Sequence, residues 1–373
     1  MEILDRYISQ LLKNSTPECP AWFKEKREEG TGLKWNYIDG CMIKAILELY
    51  HMTQDSDYLE FADGFIDRFV NADGSIVSYR PEEYNLDNVN AGKTLFDLYK
   101  LTGKEKYRRA IDLIYSQLME QPRTESGNFW HKKIYPNQIW LDGLYMALPF
   151  YMQYETEYHD GRNCEDILKQ FRNVRESMRD LRNGLYYHAY DESRTAFWCD
   201  KVTGLSDSFW LRALGWYAMA LVDTAEIMTG GARAELSGFY RELIDAMLPY
   251  QDPETGMWYQ VVNRGGITPN YLETSGSAIF AYAIMKSVRI GLLPKSYFAF
   301  GEKAFYGICR RYLSEENGEL QLDGICLVAG LGNVEQREGT FDYYMREPIV
   351  KNEAKGVAPL VLAYIEILNM KKR

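Results

Sequence analysis

Apolar residues recur along this chain at the three- and four-residue spacing of amphipathic helices, and the helical stretches come in pairs. The first member of each pair is apolar on most faces and rich in Ala, Leu and Tyr. The second alternates Lys, Arg and Glu with Leu and Ile. That contrast predicts an inner helix buried all round, followed by an outer helix with one exposed face. Tyr37–Tyr50 opens one pair and Tyr58–Val70 closes it; Leu86–Tyr99 opens the next and Lys106–Met119 closes it. The connectors His51–Tyr58 and Lys100–Tyr107 match in length and in their final Tyr, giving an internal repeat with a period of about 50 residues. Further openings are predicted at Trp140–Tyr145, Phe209–Trp216, Tyr271–Gly276 and Lys355–Leu360, six in all, and a helix over Glu2–Leu12 would supply the last partner by circular closure. Six hairpins closed on themselves make an all-α (α/α)6 barrel with one central pocket, a single domain over residues 1–373. The alternative is an open α-solenoid, which would expose its terminal repeats.

Short strand-like pieces punctuate the helices: Gly127–His131, Gly184–Tyr190, Gly256–Val262 and Gly318–Leu322. Each follows an acidic or Asn-containing turn and carries alternating residues, most of them aromatic. They predict short β pieces at one rim of the barrel, where function tends to concentrate.

Composition narrows the function. The chain has 46% hydrophobic and 26% charged residues, an ordinary globular balance. With 43 Lys+Arg against 53 Asp+Glu the net charge is -10, and no cationic cluster is present for a phosphate backbone, so we expect no nucleic-acid partner. No stretch approaches the roughly eighteen apolar residues of a membrane span, and the acidic start lacks a secretory leader's pattern. A cytoplasmic protein follows, as a monomer or weak homo-oligomer. The six scattered cysteines form no C-x-x-C pair and read as thiols. The 29 Tyr, 16 Phe and 8 Trp are the oddity: so many polar-tipped rings suggest a wide aromatic-lined cavity of the kind that handles sugars.

Familiar catalytic signatures (H-E-x-x-H, G-x-S-x-G, Walker A) are missing, and no ligand pair has metal-binding spacing, so neither a metal nor a cofactor is expected. The segment Gly330–Glu335 starts like a dinucleotide loop but lacks its third glycine and a βαβ setting, and reads as an ordinary loop. Three carboxylates, Asp39, Asp87 and Asp142, stand at equivalent places near the starts of inner helices, so they can converge on one rim. A carboxylic acid among aromatics suits proton donation to a sugar, and Asp142, between Trp140 and Tyr145, has the best setting. An early-helix Asp equally suits the helix dipole, the favoured reading for Asp39. His131 and His188 end two of the aromatic strand-like pieces and read as ligand-facing or as structural hydrogen-bonders. Arg212, in an otherwise apolar helix start, needs an anion: a protein carboxylate, or a substrate carboxylate in a bidentate pair. Trp35, Tyr37, Trp140, Trp210 and Trp216 are candidates for sugar stacking.

Taken together, the segments Trp35-x-Tyr37, Leu86-Asp87, Gly127-x-Phe-Trp-His131-Lys132 and Trp140-Leu-Asp-Gly-Leu-Tyr-Met146 resemble the unsaturated rhamnogalacturonyl hydrolases, glycoside hydrolase family 105, which are related to the unsaturated glucuronyl hydrolases of family 88. The match continues through Gly184-Leu-Tyr-Tyr-His188, Phe209-Trp-x-Arg212-x-x-Gly-Trp216, Gly256-x-Trp-Tyr-Gln260, Leu272-Glu-x-Ser-Gly-Ser277 and Asp342-Tyr-Tyr344. The resemblance implies an (α/α)6 barrel acting on the 4,5-unsaturated uronate that a lyase leaves at a chain end. It implies Asp142 as general acid/base, with Tyr37, Asp87, His131, Lys132, Trp140, His188, Trp210, Arg212 and Trp216 binding an unsaturated uronate oligosaccharide. Lys355 and Asn36 depart from a His carried by some relatives and leave the neighbouring sugar open. Two rival functions share these features. A sugar epimerase would use His131 and His188 as acid and base, and a non-catalytic glycan binder would turn nothing over.

Overall fold

The computed structural model describes residues 2–23, 32–332 and 336–372. Among them, twelve long helices alternate between an inner and an outer ring. The inner helices are α2 (Tyr37–Thr53), α4 (Lys93–Thr102), α6 (Leu141–Tyr158), α8 (Leu211–Ile227), α10 (Thr274–Arg289) and α12 (Ala354–Lys371). The outer ones are α1 (Glu2–Lys13), α3 (Ser56–Asp67), α5 (Glu105–Glu120), α7 (Cys164–Met178), α9 (Gly230–Met247) and α11 (Phe298–Tyr312). Helix α12 packs against both α10 and α2, so the inner ring closes and the open solenoid is excluded. The N-terminal α1 completes the last pair, with Tyr364 of α12 donating to Asp5 at 2.7 Å.

Burial follows the pattern of the sequence. In α10 nearly every side chain from Thr274 to Val288 is buried, whereas α9 buries only the stripe Leu236, Tyr240, Leu243, Ile244 and Met247. Inner helices approach closely where the sequence has glycine: a Cβ on Gly40 would lie 2.5 Å from Ala91 Cα. One predicted helix is not continuous. Leu86–Tyr99 splits into a short helix Asp87–Asn90 and α4, because Gly92, Thr94 and Leu95 donate to carbonyls three residues back and tighten the turn between them.

The β pieces are shorter than the sequence suggests. Strand β1 (Gln138–Trp140) pairs antiparallel with β2 (Ala189–Asp191), β3 (Leu313–Glu316) with β4 (Glu319–Leu322), and β5 (Ile325–Cys326) with β6 (Ile349–Val350). Gly127–His131 and Gly256–Val262 make only isolated bridges, such as Arg123 with Phe129 and Trp210 with Val261. Strand β1 was not expected at all. The loop after β5 runs through Gly330; residues 333–335 of the predicted Gly330–Glu335 loop lie outside the described residues. No helix among the described residues is long and apolar enough to cross a membrane.

Candidate active site

The inner helices run parallel, so their N-termini meet at one end of the barrel. There a cavity of about 200 Å³ is lined by Tyr37, Asp87, His131, Lys132, Trp140 and Asp142, six of the ten predicted site residues. Tyr135, Met146, Arg337 and the Val328–Leu331 segment complete its wall.

The β1–β2 register builds its centre. Trp140 pairs with Ala189, and the Leu141 N–H donates to the His188 carbonyl at 3.1 Å. This juxtaposition places His188 Nε2 3.2 Å from Asp142 Oδ2, in the first turn of α6. Both atoms are buried and neither completes an aligned hydrogen bond. His188 Nδ1 lies 2.7 Å from the Tyr344 hydroxyl. The glycine after Asp142 is required by packing: a Cβ on Gly143 would sit 2.9 Å from His131 Nδ1. Asp142-Gly143 is thus the start of a helix against which a histidine ring can lie flush.

His131 and Tyr135 stack side by side on Trp140, with centroids 4.6 and 5.0 Å from the indole, 6.5 Å from each other and their planes within 4°. The indole is fixed by its N–H donating to Gln138 Oε1 at 3.0 Å. Lys132 Nζ is 2.6 Å and His131 Nε2 3.6 Å from the Asp87 carboxylate. Burial alone would raise the Asp87 carboxyl, but Lys132 and His131 outweigh it and hold the group below the usual range. Lys132 is raised in return, the pull of Asp87 exceeding its desolvation. Asp87 is therefore held ionised, unlike a proton donor.

Burial pushes His131 down to about 4, and only 2% of its surface is exposed. The sign follows: the unfolded chain binds more protons than the folded one between pH 6.5 and 4, so stability falls as pH falls through that window. By pH 4 the loss from this residue is about 3 kcal/mol. Urea titrations of His131→Gln are expected to show a correspondingly shallower decline over that window than the wild type; parallel curves would show that the ring is not held neutral.

The other predicted residues lie behind this wall. Trp210 packs on His188 at 4.7 Å and on Tyr344 at 5.7 Å. Arg212 is 1% exposed and meets neither expected partner in a hydrogen bond. Its guanidinium donates to Cys326 O at 2.5 Å, Ser275 Oγ at 3.1 Å and Leu327 O at 3.4 Å, with Glu273 one hydrogen bond further through Ser275. Carbonyl oxygens at a strand end satisfy an Arg as well as a carboxylate does, which apolar sequence context cannot reveal. Trp216 stacks on Tyr145 inside the barrel at 5.1 Å, away from the cavity wall. Asp39 does not join the other two carboxylates: it accepts from Trp22 Nε1 at 2.9 Å and Asn36 Nδ2 at 2.8 Å. Asn36 itself caps α2, and Lys355 is buried with its Nζ 2.9 Å from Glu353. Sequence reasoning missed Tyr135, Arg337 and Tyr344; of these only Tyr344 left a trace, in the Asp342-Tyr-Tyr344 match.

Two larger cavities, about 460 and 290 Å³, open at the opposite end, among the C-terminal ends of the inner helices. Their charges are mostly matched in pairs, Lys286 with Asp223 and Glu226, Arg289 with Glu366, and Lys44 with Glu48 and Asp97. Size alone would favour that end; the convergence of aromatic faces, histidines and an acid whose Oδ2 completes no hydrogen bond favours the smaller cavity. Among the described residues no three His, Cys, Asp or Glu side chains gather to hold a metal ion.

Comparison with known proteins shows the family and the fold. The sequence profile of Glycosyl Hydrolase Family 88 matches residues 14–371. A solved family 105 glycoside hydrolase from C. acetobutylicum is 41% identical, with a TM-score of 0.91 and coverage of 99% of both chains. The unsaturated rhamnogalacturonyl hydrolase YesR of Bacillus subtilis is 26% identical over 356 residues, 93% of this chain and 94% of its own. An unsaturated glucuronyl hydrolase from Bacillus sp. GL1, 15% identical and covering 89% of this chain and 86% of its own, shares the fold at a TM-score of 0.65. The chain accordingly belongs to the family 88 and 105 group of glycoside hydrolases and is a glycoside hydrolase built as a six-hairpin helical barrel.

Proposed function

We propose that this protein removes a 4,5-unsaturated galacturonic acid from the non-reducing end of lyase-generated rhamnogalacturonan oligosaccharides, by hydrating the C4–C5 double bond. The observation that carries the proposal is the division of labour between two carboxylates in one cavity: Asp87 is locked to Lys132, while Asp142 faces only a histidine edge. Environments that separate two acids in this way assign their roles.

Asp142, as the acid, protonates C4 of the enol ether. Positive charge develops at C5, beside the ring oxygen, and water adds there while the Asp142 carboxylate takes its proton. The hemiketal opens and the glycosidic bond breaks without a second catalyst. Trp140 and Tyr135 offer aromatic surface at the cavity wall, and Asp87 accepts from sugar hydroxyls. A cavity of about 200 Å³ is below the usual range for drug-sized ligands and suits one ring. Against the chain's net charge of -10, Lys132 and Arg337 bring two cationic groups to the cavity wall. Arg212 reaches the site through Trp210, which it faces at 5.0 Å, and its charge favours the substrate carboxylate from behind the wall. The six free thiols fit a cytoplasmic setting.

The test is a panel of lyase-generated disaccharides followed by loss of the enol-acid absorbance, with turnover in deuterated water. The rhamnogalacturonan product is expected to react fastest and to carry deuterium at C4 of the released keto-uronate, and the saturated uronide should be inert. Cleavage of the saturated substrate at a comparable rate, or product without deuterium at C4, would rule hydration out; preference for another aglycone would move the substrate but keep the chemistry.

A further inference from the structure

We propose that Tyr344 is a positioning residue for this reaction, its hydroxyl fixing the tautomer of His188 so that the Nε2 hydrogen faces Asp142. The inference rests on the function proposed above, but its primary test needs no substrate.

Tyr344 lies in the short helix Phe341–Arg346, whose start is capped by Thr340, and is brought to His188 from 156 residues away. Its ring is fully buried and stacked at 19° on Trp210, which also packs on the His188 ring. The hydroxyl sits 2.7 Å from His188 Nδ1. Burial pushes this phenol well above its ordinary value, so it keeps its hydrogen. A hydroxyl hydrogen in such surroundings must be given to an acceptor or left unsatisfied. Nδ1 therefore accepts, and in the neutral ring the hydrogen belongs to Nε2. That atom is 3.2 Å from Asp142 Oδ2. The opposite tautomer would orphan the phenol hydrogen and turn a nitrogen lone pair towards the carboxylate.

The consequence is a differentiated carboxyl group. With the Nε2 hydrogen turned towards the buried Oδ2, the proton exchanged with the sugar travels on Oδ1, so Asp142 presents the same oxygen first as acid and then as base. Neither His188 nor Tyr344 needs to change its own protonation during the cycle.

Long-range proton–nitrogen correlation spectra of protein labelled with ¹⁵N-histidine read the tautomer directly, at a pH where the ring is neutral; His188→Gln identifies the signal among the four histidines. Wild type is expected to show a pyrrole-type Nε2 and a pyridine-type Nδ1 at His188. Tyr344→Phe should shift His188 towards the Nδ1–H form and lower kcat about 10-fold, with KM changed less than about 2-fold. A wild-type Nδ1–H tautomer, or a folded Tyr344→Phe protein with tautomer and kcat unchanged, overturns the proposal. Should the variant not fold, the wild-type spectrum decides alone. If the tautomer is as stated but no unsaturated uronide is consumed, the functional reading fails, while the fixing of the His188 tautomer by Tyr344 stands apart from it.

Discussion

Asp142→Asn is expected to retain its fold and lose 100- to 10,000-fold in kcat on the unsaturated disaccharide, about 3 to 5 kcal/mol of transition-state stabilisation. The amide keeps the size of the side chain, which is 14% exposed and whose buried Oδ2 completes no aligned hydrogen bond. Losing the charge in the first turn of α6 costs stability at most about 1 kcal/mol through the helix dipole. KM should move little, because the Trp140 stack and the Lys132–Asp87 pair are untouched. Steady-state kinetics beside a thermal melt check both halves. A variant keeping more than about a tenth of wild-type kcat would remove Asp142 from the role of proton donor, since that is an effect under about 1.4 kcal/mol.

The largest effect on stability is expected at Glu273, which has no surface exposure and caps α10 from within the barrel. Its two carboxylate oxygens accept from the Ser275 N–H at 2.9 Å, the Ser275 hydroxyl at 2.7 Å, the Gly276 N–H at 2.7 Å and the Cys326 N–H at 3.0 Å. Glu273→Ala strands three buried backbone donors, each worth about 1–3 kcal/mol when left unmade. It also removes the anion nearest the buried Arg212. A loss of at least about 3 kcal/mol in urea unfolding is expected, at a position whose mutation touches no residue of the cavity wall. A change below about 1 kcal/mol would mean that solvent enters and replaces the carboxylate.

The six hairpins were legible because each inner helix is apolar round most of its circumference and each outer one is striped, a signal spread over ten to eighteen residues. The Asp87–Asp142 convergence was legible for the same reason, since both follow the same position in the repeat. Strand β1 was not, because three residues, Gln138-Ile-Trp140, cannot display a period. Yet that strand is what sets Asp142 opposite His188. The partners of Arg212 were equally hidden: Cys326 and Leu327 are more than a hundred residues away and offer only carbonyls, which no side-chain pattern announces. Trp216 shows the limit of reading aromatics singly. Four residues after Arg212 on the same helix, it lies one turn deeper, where the ring packs on Tyr145 rather than reaching the mouth. The matched ion pairs at the far end come from Glu48, Glu226, Lys286 and Glu366, polar residues near the C-terminal ends of inner helices.

The circular closure of the inner ring has a consequence for how the protein is made. Helix α2 leaves the ribosome well before one of its two inner neighbours, α12, which begins about 300 residues later at Ala354. Until then the nascent chain is an arc with an apolar seam, since ten of the seventeen residues of α2 are buried in the finished protein. Sealing it brings Tyr364 onto Asp5 and Lys372 onto the carbonyl of Met52. A stop codon placed before Ala354 would therefore remove α12 and leave both edges of the seam in water, an aggregation-prone intermediate rather than a slightly shortened enzyme.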